Sequence, residues 1–325
     1  MIISFDKLAS ATRGILRAEE RGGEAVFHRF TEEQEAFYKR NKPNFYEKTF
    51  GTASMVIDFT TDSHEVSFEY TAKKASGRLW FYFDIYENDR LVQHVGKDGA
   101  PTAYGKVTAT LSEGEKRVRI YLPALFAARI SKFTIDDGAS FLPSEKGRCA
   151  IIYGDSITQG YDAKFPSLSY ANIIADTFGL NAINQAIGGE IFTLGILLGA
   201  PELQPEVITV AYGTNDWVFS AREDTLECAE KFFKMLESLY PCAKIVYISP
   251  IWRADTESRG AKGGDFFKLV EKLEEVAKKC GASVISGLDF FPRDTGMFSD
   301  GSLHPNDLGF SLYAKGVIER LKELI

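Results

Sequence analysis

The period of hydrophobic positions changes once along the chain. Up to about residue 140, apolar side chains alternate with polar ones. Val66, Phe68 and Tyr70 follow this pattern. So do Val118, Ile120 and Leu122, interleaved with Arg117, Arg119 and Tyr121. Leu79, Phe81, Phe83 and Ile85 alternate with Trp80, Tyr82, Asp84 and Tyr86. A period of two marks strands with one face turned to a core. Turn formers separate these runs, at Thr61-Asp62-Ser63, Ala75-Ser76-Gly77, Glu87-Asn88-Asp89 and Glu113-Gly114-Glu115. Short strands at such spacing predict a β-sandwich of jelly-roll type. Residues 31–40, with Glu32, Glu33, Gln34 and Glu35, predict a short helix or an ordered loop. Trp80, Tyr82 and Tyr86 share one strand face, either as a sugar-stacking platform or as packing surface. Aromatic side chains at strand spacing favour packing.

Phe141-Leu142-Pro143-Ser144-Glu145-Lys146-Gly147 is polar and carries Pro and Gly. It predicts a boundary between a β-sandwich domain at 1–145 and a second domain at 146–325. Beyond it the pattern becomes short apolar runs alternating with helical periods. Strands are expected at Cys149–Tyr153, Ala182–Asn184, Val207–Tyr212, Lys244–Ser249 and Ser283–Ile285. Helices are expected near Ser169–Phe178, Arg222–Leu239, Asp265–Lys279 and Asp307–Leu324. Phe266, Leu269, Val270, Leu273 and Val276 fall on one helical face. Ser220-Ala221-Arg222-Glu223 reads as a capping box. Strand–helix alternation implies an α/β fold, a parallel sheet covered by helices on both faces.

Composition narrows the partners. Of 325 residues, 45% are hydrophobic and 26% charged, as in an ordinary globular chain. A net charge of −7 argues against nucleic acid or an anionic membrane as partner. No stretch has the length of a membrane span, and Met1-Ile2-Ile3-Ser4-Phe5-Asp6-Lys7 does not read as a secretory signal. Cys149, Cys228, Cys242 and Cys280 are scattered without metal-like pairing, so reduced thiols and a cytoplasmic location are expected. His28, His64 and His94 stand alone and read as structural or surface residues. His64-Glu65 is followed by Val66-Ser67-Phe68 and fails the zinc pattern, and no phosphate or dinucleotide loop is present. No metal or cofactor is expected. A homo-oligomer through the aromatic-rich N-terminal half is compatible with the composition.

In open α/β sheets the chemistry sits beyond the carboxyl ends of the strands. Gly154-Asp155-Ser156 follows the first strand, and Asn184-Gln185-Ala186-Ile187-Gly188-Gly189-Glu190 follows the second. Ala211-Tyr212-Gly213-Thr214-Asn215-Asp216-Trp217 ends the third, and Ser299-Asp300-Gly301-Ser302-Leu303-His304-Pro305-Asn306 precedes the last helix. A serine nucleophile needs a base. His304 is the only imidazole after residue 94, and Asp300 is its near carboxylate. The Ser156 N–H, the Gly189 N–H and the Asn215 amide are candidate donors for an oxyanion. Singly, Gly188-Gly189 reads equally as a turn and Asn215-Asp216 as a cap.

As an ordered set, Gly154-Asp155-Ser156, Gly189, Gly213-Thr214-Asn215-Asp216 and His304-Pro305 resemble the blocks of the SGNH (GDSL-type) hydrolases, over about residues 148–325. The resemblance implies a flavodoxin-like three-layer α/β/α domain and metal-free acyl ester hydrolysis. It implies Ser156 as nucleophile, His304 as base, and Gly189 and Asn215 completing an oxyanion hole with Ser156. The family usually places its acid three residues before the histidine. That position here is Gly301, with Asp300 four before, so either a triad or a Ser–His dyad is open. A β-sandwich followed by such a domain resembles esterases that deacetylate carbohydrates. The expected substrate is therefore a small-molecule or oligosaccharide ester with a short acyl group. Alternatives are a lysophospholipase or thioesterase acting on longer chains, or a non-catalytic carbohydrate binder. Tyr161, Phe192, Trp217 and Trp252 lie near strand ends and are expected to line the crevice. Arg253 either meets a polar substrate group or pairs with an acid.

Overall fold

The computed structural model describes residues 1–325, and its first half builds two antiparallel sheets. One runs Arg17–Arg21, Glu24–His28, Phe126–Ile135, Glu65–Lys74, Thr102–Thr110 in spatial order. The other runs Thr12–Arg13, Val56–Thr61, Lys116–Tyr121, Trp80–Glu87, Arg90–Asp98, with Leu142–Pro143 beside Val56–Thr61. Their inner faces share one core. Phe68 and Phe133 stack with ring centroids 6.0 Å apart, and Phe59 stacks on Phe141 at 4.5 Å. Phe81, Phe83 and Ile85, the apolar phase of their strand, are fully buried there.

The opposite phase faces the second half of the chain. The Tyr82 ring lies 4.3 Å from His94, and His94 lies 4.0 Å from Phe165. The Tyr86 hydroxyl meets Ser167 Oγ at 3.2 Å, and Lys164 Nζ sits 4.2 Å from the Trp80 ring. These aromatics are packing surface. His94 is likewise structural, with Nδ1 2.7 Å from Asp84 Oδ1. His28 is buried between Glu19 and Glu35, and His64 is exposed.

The second half is a five-stranded parallel sheet in the order Leu180–Asn184, Arg148–Gly154, Val207–Ala211, Lys244–Ile248, Ser283–Ile285. Taken in chain order this is 2-1-3-4-5, the flavodoxin-like winding. Alternate residues of Arg148–Gly154 feed opposite layers. Ala150 and Ile152 pack with helices Tyr170–Phe178 and Asp307–Leu321, through Ile174, Phe310 and Val317. Ile151 and Tyr153 pack with Arg222–Leu239 and Phe266–Lys279, through Phe232, Leu236, Leu269 and Leu273. Because its neighbours are the second and third strands, the first strand ends at the switch point, where open α/β sheets bind their ligands.

Two features depart from the sequence reading. Helix Arg222–Leu239 is capped by Ala221 without a side-chain bond, and Ser220 lies one residue too early to reach it. The chain's real capping box is Thr31 with Gln34, opening helix Glu32–Asn41. That helix also leaves the sandwich. Phe30 and Tyr38 are buried in the core of the α/β half. Gln34 Nε2 donates to Gln185 Oε1 at 3.0 Å and to the Ile196 carbonyl at 2.9 Å. The 145/146 boundary lies in the loop between Leu142–Pro143 and Arg148–Gly154. Residues 29–51 nonetheless cover the α/β half. No helix is long and apolar enough to cross a membrane.

Candidate active site

Ser156 is the first residue of a one-turn helix, Ser156–Gln159, that follows strand Arg148–Gly154 after Asp155. Asp155 caps that helix, accepting the Ile157 N–H at 3.0 Å. Burial pushes the Asp155 carboxyl up to about 6. Ser156 Oγ is 2.8 Å from His304 Nε2, and His304 Nδ1 is 2.7 Å from Asp300 Oδ2. The four-residue spacing that left Asp300 in doubt is absorbed by a tight loop. Asp300 Oδ1 accepts the N–H groups of Ser302 at 3.0 Å, Leu303 at 2.8 Å and His304 at 3.1 Å. Gly301 makes the turn possible with φ +71°. Burial works against ionised Asp300, but the bonds from His304, Leu303 and Ser302 outweigh it and hold the carboxyl well below the usual range. An ionised Asp300 places the imidazole proton on Nδ1 and leaves Nε2 free to accept from Ser156.

The other donors converge from two further loops. Ile187-Gly188-Gly189-Glu190 forms a turn, with the Glu190 N–H bonded to the Ile187 carbonyl at 3.0 Å and Gly189 at φ +91°. Gln159 Oε1, one turn beyond Ser156, accepts the Gly188 N–H at 2.8 Å. Asn215 Nδ2 donates to the Glu190 carbonyl at 3.1 Å. The loops that carry Ser156, Gly189 and Asn215 are thus tied to one another at the ends of the first three strands.

The crevice aromatics divide. The Tyr161 ring stacks on His304 with centroids 5.4 Å apart. Its hydroxyl is fixed by Ser76 Oγ at 2.6 Å and the Gly77 N–H at 2.8 Å. Trp217 cannot line the crevice, because it is 0% exposed, packs on Phe266 and donates its indole N–H to the Gly264 carbonyl. Phe192 is also core, packed among Tyr212, Phe232 and Phe233. Nearness to a strand end gives position but not direction, and both side chains turn inward. Trp252 is half-buried, 5.9 Å from Phe298, beside the loop that carries Asp300. Arg253 is buried and paired with Asp255 at 2.5 and 2.9 Å.

Periodicity gave no hint that the N-terminal half also reaches the site. Arg78 pairs with Asp162 at 2.7 and 2.9 Å. Asp162, Asp300 and His304 have ligand atoms within 4.8 Å of one another, a spacing that could hold a cation. Both Asp162 oxygens already bind Arg78, and Asp300 is committed to His304 and backbone donors. A groove of about 410 Å³ adjoins Gly189, bordered by Asn41, Lys42, Phe45, Ile191 and Phe219.

Asp216, next to Asn215, is buried, and burial pushes its carboxyl up to about 7. Oδ1 accepts the Phe192 N–H at 3.0 Å, while Oδ2 has no hydrogen-bond partner. An unfolded Asp titrates near pH ~4, so between there and about 7 the folded state holds a proton that the unfolded chain has lost. Stability from this group therefore declines as pH rises through that window. Asp216→Asn is expected to flatten the decline and to raise the urea midpoint at pH 8 relative to wild type. Equal pH slopes for the two proteins would contradict this.

Residues 152–312 match the GDSL-like lipase/acylhydrolase family. The α/β half belongs to that family. No curated protein matches the chain. Among solved structures, a salicylyl-acyltransferase from a tetracycline biosynthetic pathway superposes with TM-score 0.79 at 20% identity, covering 96% of this chain and 94% of that one. A family two carbohydrate esterase from Clostridium thermocellum, in complex with cellohexaose, gives 0.64 at 18%, covering 93% and 98%. One from Cellvibrio japonicus gives 0.63 at 15%, covering 98% and 96%. At these identities the likeness is one of fold, and it spans both halves of the chain.

Proposed function

We propose that the protein is a serine esterase that removes short acyl groups, acetyl above all, from carbohydrate esters. The observation that carries this reading is the unbroken hydrogen-bonded line Asp300–His304–Ser156. Ser156 Oγ attacks the ester carbonyl as its proton passes to His304 Nε2. Charge developing on the carbonyl oxygen is met by the Ser156 and Gly189 N–H groups and the Asn215 amide. The intermediate collapses, the C–O bond breaks, and His304 returns its proton to the departing alcohol. Water, deprotonated by the same imidazole, then releases the acid and regenerates Ser156. Asp300 stays ionised throughout and steadies the imidazolium.

The carbohydrate preference draws support from the shared two-part fold and from the sugar ligand named for the Clostridium thermocellum esterase. The groove of about 410 Å³ beside Gly189 exceeds what an acetyl group needs, which favours longer acyl chains as the second reading. An alkyl fluorophosphonate is expected to add a single phosphonyl group to Ser156, seen by intact mass and peptide mapping. Labelling elsewhere, or none, would refute the nucleophile. Across p-nitrophenyl esters, kcat/KM is expected to fall from acetate to octanoate; a rise would transfer the proposal to long-chain substrates. Product analysis with an alcohol present, free acid against new ester, separates hydrolysis from acyl transfer.

A further inference from the structure

We infer that Lys48 is a positioning residue that locks the Gly188–Gly189 peptide in the orientation that aims the Gly189 N–H at the oxyanion. The inference rests on the hydrolase reading above and extends it to a residue of the N-terminal half.

The turn Ile187–Glu190 has glycine at both central positions. Gly189 at φ +91° places it in the type II class. A type I turn over the same four residues differs by a flip of the central peptide. That peptide comprises the Gly188 carbonyl and the Gly189 N–H. The bond closing the turn, Glu190 N–H to Ile187 O at 3.0 Å, is common to both forms and does not choose between them. Two glycines remove the side-chain penalty that would otherwise decide. Left to itself, the candidate donor could therefore swing away from Ser156.

Lys48 supplies the missing constraint. Its Nζ donates to the Gly188 carbonyl at 2.5 Å, so a flip would break a charge-assisted bond. The ammonium is half-buried and lies 4.3 Å from the Phe45 ring. That ring flanks Gly189, within 3.4 Å of where a side chain there would begin. The anchor is itself tied to the loop it holds. Arg29 takes the Lys48 carbonyl at 2.9 Å, and with the same guanidinium it takes the Asn184 and Ala186 carbonyls at 2.6 and 2.7 Å. The Gly188 N–H is held from the other side by Gln159. A cation on the carbonyl also polarises the peptide and strengthens its N–H as a donor.

The test compares Lys48→Met, Lys48→Arg and Ser156→Ala on p-nitrophenyl acetate, with a boronic acid as mimic of the tetrahedral intermediate. Loss of an oxyanion donor outright costs ~10²–10³ in kcat, and a donor left free to flip costs less. Lys48→Met is expected to lower kcat about 10- to 100-fold with KM within about twofold. Boronate affinity should fall by the same factor as kcat/KM, and Lys48→Arg should recover most of the rate. If Lys48→Met does not fold, the same split is read in Lys48→Gln. Wild-type kcat in Lys48→Met beside an inactive Ser156→Ala overturns the lock and leaves the hydrolase reading standing. Undiminished activity in Ser156→Ala overturns both. Parallel losses in kcat, melting temperature and KM, with no rescue by Arg, mark an ordinary packing role and also overturn the lock.

Discussion

Ser156→Ala is expected to reduce kcat on a short ester by about 10⁵- to 10⁶-fold, His304→Ala to do the same, and the double variant to be no worse than either. The two side chains act as one device. Without Nε2 the Ser156 hydroxyl has no acceptor for its proton, and without the hydroxyl the imidazole has nothing to activate. On the proposed reading, the residual rate comes from the donors that remain, the backbone N–H at position 156, the Gly189 N–H and Asn215. Asp300→Asn is expected to cost about 10⁴-fold, and for a different reason. An Asn Oδ1 can keep the N–H bonds of Ser302, Leu303 and His304, so the loop survives. Its amide, however, donates to Nδ1 and forces the proton onto Nε2, the nitrogen that must accept from Ser156. Stopped-flow or steady-state assays on p-nitrophenyl acetate decide. An Asp300→Asn rate near wild type would identify a dyad.

The low pKa of Asp300 adds a pH consequence. Its folded-state value lies below that of an unfolded Asp, so its contribution to stability is complete above about pH 4 and is lost as pH falls toward the folded value. The Asp300–His304 pair therefore does not limit the enzyme on the mildly acidic side through loss of the carboxylate.

What the sequence disclosed depended on whether a local rule governed the residue. Strand Ser283–Ile285 and helix Arg222–Leu239 were legible to the residue because runs of buried side chains and helical spacing are local patterns. Ser156 and His304 were legible because loop position and residue type identify them together. Asp300 was half legible. Spacing brought it near the histidine, but its direction came from a turn closed by three backbone N–H groups, which counting residues does not reveal. Trp217 and Phe192 failed because rotamer and layer decide whether a side chain at a strand end faces crevice or core. The sandwich's share of the site was invisible for another reason. Arg29, Lys48, Ser76 and Arg78 meet the α/β half across more than 80 residues of sequence, where no periodicity speaks.

The second large effect concerns that joint. Arg29 is fully buried with no carboxylate partner, and all its hydrogen bonds go to carbonyls. Nε donates to Gly51 at 2.7 Å, Nη2 to Lys48 at 2.9 Å, and Nη1 to Asn184 and Ala186 at 2.6 and 2.7 Å. Two of these acceptors belong to the segment from the N-terminal half, one to the last residue of the second parallel strand and one to the loop after it. Arg29→Met keeps much of the stem's packing volume but removes the guanidinium donor from the Gly51, Asn184 and Ala186 carbonyls in a buried site, while the Lys48 carbonyl keeps the Gly51 N–H. Each unsatisfied group costs about 1–3 kcal/mol, offset in part by no longer burying a charge, for a net loss of about 3–5 kcal/mol. That is a large fraction of a domain's stability. Arg29→Lys is expected to recover less than half, since one ammonium cannot span both segments. The same joint is expected to make unfolding a single event. Trp80 reports on the sandwich and Trp217 and Trp252 on the α/β half, so fluorescence and far-ultraviolet dichroism should give coincident urea transitions in the wild type. In Arg29→Met the midpoint should fall and the two signals should separate, because the interface would then melt before either core. A midpoint unchanged from wild type would mean that the buried guanidinium does not join the halves.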